Sequence, residues 1–238
     1  MSQGKVLYIP GFMGKVDESS FLDDLEYDVV TFDLLNADVE SIPEKLKETI
    51  ESVRPDFIYA YSMGGRILLS IYEELSHKPK KVFLESVGLQ IPNADKKKAR
   101  NKLDNKRARQ IKDDFTGFLQ TWYFMPMWNF SGNQKDRMIQ ERQVNYTYAD
   151  KFAQLIVNYS PSQFPTEGAK APLDILKENE GIFYIVGAKD ANYRKMAKVL
   201  KGQEVFKQRV FEVNDAGHNI HFQKPDEIIT LIENIIGQ

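Results

Sequence analysis

Apolar residues in this chain gather into short unbroken runs, separated by longer stretches with a helical period. The runs are Val6–Ile9, Val29–Phe32, Phe57–Tyr61, Val82–Ser86, Ile182–Gly187 and Arg209–Val213. Continuous apolar runs of this length suit parallel strands covered on both faces, whereas alternation would mark a sheet with one wet face. Between them lie helix-period segments: Ile42–Val53, Gly64–Leu75, Tyr193–Leu200 and Asp226–Ile236. Pro43 and Pro225 stand where a proline opens a helix, since the first turn needs no donor from them. Strand and helix in turn predict an α/β fold with a mostly parallel, doubly wound sheet. The alternation breaks between about Gly88 and Pro172, which reads as helices at Asp95–Lys112, Asp114–Tyr123 and Gln134–Asn158. The predicted organisation is a core of residues 1–87 and 173–238, with residues 88–172 inserted as a helical cap after the fourth core strand.

Charge alters the picture only inside the insertion. Over 238 residues the net charge is −2, so no global field favours nucleic acid or a membrane surface. From Lys96 to Lys112, however, nine Lys or Arg residues face one acid, Asp104. Such a run is either a solvated helix or a lid that offers cations to an anionic ligand. The chain has no cysteine, which removes disulfides, thiolate metal sites and a cysteine nucleophile together. Residues Met1 to Lys5 lead into the first strand without a basic segment and long apolar run, and no stretch approaches the ~20 apolar residues of a membrane span. A cytoplasmic protein without membrane insertion is expected, either monomeric or weakly dimeric.

The third apolar run ends in Ala60-Tyr61-Ser62-Met63-Gly64-Gly65-Arg66, and a helical pattern follows at once. A serine on a tight strand-to-helix turn needs small residues two positions away on each side, which Ala60 and Gly64 supply; this is the nucleophile elbow with Ala for the first glycine. The helix start would aim the Met63 amide at an oxyanion, and the turn after the first strand, Pro10-Gly11-Phe12, offers the Phe12 amide as a second donor, with Gly11 allowing close backbone approach. The same residues would also serve an ordinary turn with a capping serine. Of three histidines, His218 sits in a glycine-containing loop after the last strand, where a general base belongs. His221 reads as a capping or packing residue, and His77 as solvent-facing. Asp190 follows the penultimate strand and would orient His218; it also stands where it could cap the next helix, a job open to Asn192. Asp215 is a rival orienter on the histidine's own loop.

Further stretches carry a more specific likeness. Tyr61-Ser62-Met63-Gly64-Gly65-Arg66, Gly88-Leu89-Gln90, Trp122-Tyr123 with Pro126, Glu141-Arg142, and Ala216-Gly217-His218-Asn219 together resemble the α/β-hydrolase-fold SHCHC synthases, the 2-succinyl-6-hydroxy-2,4-cyclohexadiene-1-carboxylate synthases of menaquinone biosynthesis. The resemblance implies Ser62, Asp190 and His218 as catalytic residues, Tyr61 and Arg66 beside the serine, and Arg100, Trp122 and Arg142 reaching in from the cap. It implies a lyase that eliminates pyruvate from SEPHCHC, a polycarboxylate cyclohexene, with Ser62 as a base and no metal or organic cofactor. Three arginines around one cleft agree with an anionic small-molecule substrate, because bidentate Arg–carboxylate pairs are strong and specific. Two segments depart from the family: Pro10-Gly11-Phe12 replaces a common His-Gly-Phe, and Leu34-Leu35-Asn36-Ala37-Asp38 replaces a glycine-rich turn. The chain also lacks the antiparallel strands that open many members of the wider superfamily. A carboxylesterase or C–C bond hydrolase using Ser62 as a nucleophile is the alternative, and a non-catalytic binding protein is a third reading.

Overall fold

The computed structural model describes residues 4–91, 93–165 and 168–237, so the expected lead-in at Met1 to Gln3 lies outside the described residues. Among the described residues six strands form one sheet: β1 (Lys5–Ile9), β2 (Asp28–Thr31), β3 (Phe57–Tyr61), β4 (Lys81–Glu85), β5 (Ile182–Gly187) and β6 (Val210–Val213). Their order is β2-β1-β3-β4-β5-β6 and all five pairings are parallel, so the described sheet is wholly rather than mostly parallel. All six expected runs are strands, and β3 and β5 have the bounds their apolar runs predict.

Among the described residues the helices are α1 (Ile42–Val53), α2 (Met63–Ile71), α3 (Ala94–Asp113), α4 (Phe115–Tyr123), α5 (Gly132–Gln143), α6 (Ala149–Asn158), α7 (Pro172–Glu178), α8 (Ala191–Lys201), α9 (Ile220–Gln223) and α10 (Pro225–Ile236). Successive strand residues point to opposite faces. Leu7, Ile9, Ile58, Leu84 and Tyr184 therefore pack with α1, α2 and the helices that follow β4. Val6, Tyr8, Tyr59, Phe83 and Ile185 pack on the other face with α10. Both faces are dry, which is why the strands read as unbroken apolar runs. The chain leaves β1 outward to β2 and returns to β3 on β1's other side. The carboxyl ends of β1 and β3 thus flank the crevice where open parallel sheets place their ligands.

The stretch after β4 departs from expectation in two ways. The helix expected over 134–158 is two helices, α5 and α6, separated by a 3-10 turn at Tyr146–Tyr148. Val144, Asn145, Tyr146, Thr147 and Tyr148 are all weak helix formers in succession, and they interrupt the helix with no glycine or proline present. The short helix α7 was not foreseen, although its proline stands at a first-turn position. Among the described residues, no helix is long and apolar enough to cross a membrane.

Candidate active site

Ser62 lies between β3 and α2 with φ at 49°, a left-handed conformation unusual for a residue with a Cβ. Such backbone costs on the order of 1–3 kcal/mol and persists only where its surroundings enforce it. Here the cause is the turn itself, which must swing at once from an interior strand into a helix. At Gly64 a Cβ would stand 2.4 Å from the Pro10 carbonyl oxygen, so the elbow presses directly on the turn after β1. Gly11 has another use than the expected backbone approach: a Cβ there would meet the Tyr61 ring at 2.6 Å.

The structure brings the three expected residues together. The Ser62 hydroxyl lies 2.9 Å from His218 Nε2, and His218 Nδ1 lies 2.7 Å from Asp190 Oδ2. An ionised carboxylate only accepts, so Nδ1 carries the proton and Nε2 is left to accept from Ser62. Asp190 is fully buried, and its other oxygen accepts the Tyr193 amide at the start of α8. Orienter and helix cap, weighed as competing readings of Asp190, are one residue doing both. Asp215 is not the orienter, as it pairs with Lys189 at the surface. The imidazole is wedged between rings, with Tyr193 at 4.7 Å and Trp128 at 5.3 Å between centroids, and the His218 amide donates to the Met127 carbonyl at 2.9 Å. Met63 opens α2 and Phe12 follows β1, so the two expected oxyanion donors come from the two sides of the crevice.

A cavity of about 130 Å³ opens on Ser62 and His218, with Phe12, Tyr61, Met63 and Trp122 also in its wall. Arg66, Arg100 and Arg107 also line it, together with Ser160 and Asn192. Arg66 is buried and donates through Nε and Nη2 to the Tyr159 carbonyl. It makes no ion pair among the described residues, and burial lowers its pKa to about 10. Arg100 and Arg107 both bind the fully buried Asp104, at 2.6 and 2.9 Å, and the Ser160 hydroxyl donates to the same carboxylate at 2.7 Å. The Arg107 guanidinium also lies over the Trp122 ring, 5.0 Å from its centroid. Tyr159 and Ser160, adjacent in sequence, thus bind Arg66 directly and, through Asp104, Arg100 and Arg107. Within the basic run Lys96, Lys98, Lys102 and Lys106 are exposed, while Arg100 and Arg107 line the cavity.

Arg107 was not expected, yet a signal for it exists. Residues 100, 104 and 107 follow helical spacing, so α3 stacks two arginines around one acid on a single face. Arg142 corrects the resemblance in the other direction. It does not line the serine cavity but a separate cleft, where it is buried in an ion pair with Glu18 from the segment after β1. Burial opposes its charge, but Glu18 and Tyr123 outweigh that and the net shift of its pKa is upward. Of the other histidines, His221 is buried as expected of a packing residue, and His77 is half-buried against the Pro55 carbonyl rather than solvent-facing. Among the described residues no cluster of His, Asp and Glu is arranged to hold a metal ion.

The wholly parallel sheet, the strained serine after β3, and the acid and histidine after β5 and β6 define the α/β-hydrolase fold, and this chain has it. In structure it is similar to MenH from S. aureus, with a TM-score of 0.81 at 20% identity over 98% of this chain and 93% of that one. It is also similar to a thermophilic esterase from Thermogutta terrifontis solved with malate bound, with a TM-score of 0.72 at 15% identity over 99% and 90% of the two chains. A structure from work on carboxylesterases of Nitrososphaera gargenis gives a TM-score of 0.72 at 13% identity, again over 99% and 90%. No protein-family model matches the sequence, and no curated protein matches it significantly.

Proposed function

We propose that the chain is a lyase of the SHCHC synthase type, in which residues 88–172 form a cap over the core of residues 1–87 and 173–238 and Ser62 acts as a base on a polycarboxylate substrate. The observation that carries this reading is Arg66, a buried guanidinium in the wall of the serine cavity with no carboxylate partner among the described residues. Its lowered pKa corresponds to a penalty of ~3 kcal/mol for keeping the charge. Unpaired buried cations are costly, and an anionic ligand removes that cost. A generic esterase gains nothing from that expense. Arg100 and Arg107 add two further cations against Asp104 alone, so the lining carries a net positive charge.

In the proposed reaction His218 Nε2 draws the Ser62 proton, and the serine oxygen removes a proton from a ring carbon of SEPHCHC. The electron pair forms a double bond beside the deprotonated carbon, the existing ring double bond shifts by one position, and the C–O bond to the enolpyruvyl group breaks; the departing enolate takes up the proton held by His218 and becomes pyruvate. Amides at Met63 and Phe12 would face the enolate-like charge that develops on the carbonyl oxygen conjugated with the deprotonated ring carbon. Acyl transfer is the second reading, favoured by the 2.9 Å Ser62–His218 contact, which suits a nucleophile equally well. Pyruvate release from SEPHCHC, measured beside hydrolysis of p-nitrophenyl acetate, separates the two. Rapid pyruvate release with slow ester cleavage is expected; the reverse would overturn the lyase reading.

Arg66 gives a second test with two readouts. Arg66→Met should raise KM for SEPHCHC by about 10- to 100-fold, the worth of a lost charge-assisted hydrogen bond. The same variant should melt no lower than the wild type, because it removes a buried charge along with its hydrogen bonds. A markedly lower Tm with unchanged KM would make Arg66 a structural residue only.

A further inference from the structure

One buried polar cluster plays no part in this chemistry. Glu85 ends β4 and is fully buried, yet it carries a carboxylate into the face of the sheet that is otherwise packed with aromatic rings. Four donors surround it: the Tyr59 hydroxyl at 2.6 Å, His221 Nδ1 at 2.5 Å, and the backbone amides of Ile220 and His221. On the far side of the imidazole, His221 Nε2 lies 3.2 Å from the Tyr8 hydroxyl. A buried carboxylate is tolerated only when it is saturated with donors in this way, and removing one partner leaves the rest exposed to the full cost.

The cluster's place gives it a purpose. The Glu85 carbonyl accepts the Ser62 amide at 2.8 Å, so its backbone holds the elbow. Its side chain holds Ile220 and His221, two and three residues beyond His218. The Tyr61 ring fills the space between, 4.8 Å from the His221 ring and 5.7 Å from that of His218. Glu85 thus joins the two segments, binding the elbow through its backbone carbonyl and the histidine loop through its carboxylate. We infer that Glu85 and His221 are positioning residues, a second acid–imidazole pair that sets the register of His218 against Ser62. The inference rests on Ser62 being the reactive group, but not on the lyase reading.

The test uses phosphonylation of Ser62 by a fluorophosphonate ester, in which the serine oxygen bonds to phosphorus, fluoride leaves and His218 takes the proton. His221→Phe keeps a ring in the pocket but gives Glu85 no donor. It should slow the labelling rate constant by about 10- to 100-fold, the effect of a misplacement of about an ångström. It should also shift the downfield proton resonance of the His218 Nδ1–H held by Asp190. His221→Gln, which restores a donor to Glu85, should recover most of the rate. A purely structural role would lower the folded fraction and Tm while leaving the rate per folded molecule and the resonance unchanged, and that result would overturn the inference. Glu85→Gln carries the same expectation if His221→Phe does not fold. Failure of the wild type to label would instead remove the Ser62 assignment itself, a distinguishable outcome.

Discussion

Replacing Asp190 by asparagine is expected to lower turnover by roughly three to four orders of magnitude while leaving the fold intact. The expectation follows from the two separate jobs of its two oxygens. One accepts from His218 Nδ1 at 2.7 Å, and the other accepts the Tyr193 amide that opens α8. Asparagine caps a helix about as well as aspartate, so the second job survives. The first does not, because an amide that donates to Nδ1 moves the ring proton to Nε2. The imidazole then faces Ser62 with a hydrogen and can no longer take one. Asp190→Ala should lose both jobs and melt lower by a further ~1 kcal/mol. Steady-state kinetics with thermal unfolding on both variants checks this. Wild-type turnover in the asparagine variant would show that something other than Asp190 orients His218.

Gly64→Ala should strike fold and activity together. The new Cβ would stand 2.4 Å from the Pro10 carbonyl and 2.7 Å from that of Ile9, both backbone atoms at the end of an interior strand. A flexible side chain could yield, but a strand paired on both sides cannot. Overpacking of this kind costs about 1–3 kcal/mol or more, a fall in Tm of roughly 10 °C at the upper end for a chain of this size. Whatever movement relieves it pushes Phe12 away from Met63, so activity should fall at least ~100-fold in the folded fraction. Gly132→Ala is the control, since a Cβ at that position meets nothing within 4 Å. If Gly64→Ala melts and reacts like the wild type, the close contact between elbow and first strand is not what sets this site.

The two variants mark the part of the molecule that was legible in sequence. Phe57–Tyr61 had to be buried on both sides because it carries no polar residue but tyrosine, and Ser62, with Ala60 and Gly64 two positions away on each side, fits a tight strand-to-helix turn. Asp190 and His218 were legible because strand ends come at countable places in an alternating chain. Contacts between segments distant in sequence were not. Glu18 meets Arg142 across 124 positions, and no local pattern in either segment announces the other. The resemblance therefore assigned Arg142 to the wrong cleft. Arg107 was missed for a different reason: in a run of nine cations every one looks solvated, and only the helical phase around Asp104 separates the two that turn inward. Glu85 likewise reads as the polar end of a strand, and its four donors arrive from β3 and from the segment after His218.

The bond from the His218 amide to the Met127 carbonyl, with Trp128 stacked edge-on to the imidazole, has a consequence for engineering. The stretch between β4 and β5 is not an interchangeable part. A chimera that kept all six strands and all three Ser, His and Asp residues, but borrowed this stretch from a structural neighbour, would inherit a new pocket and at the same time lose a support of its own base. Grafts that retain residues 122–130 should keep the aim of His218, and those that replace them should need compensating changes in the loop that carries it.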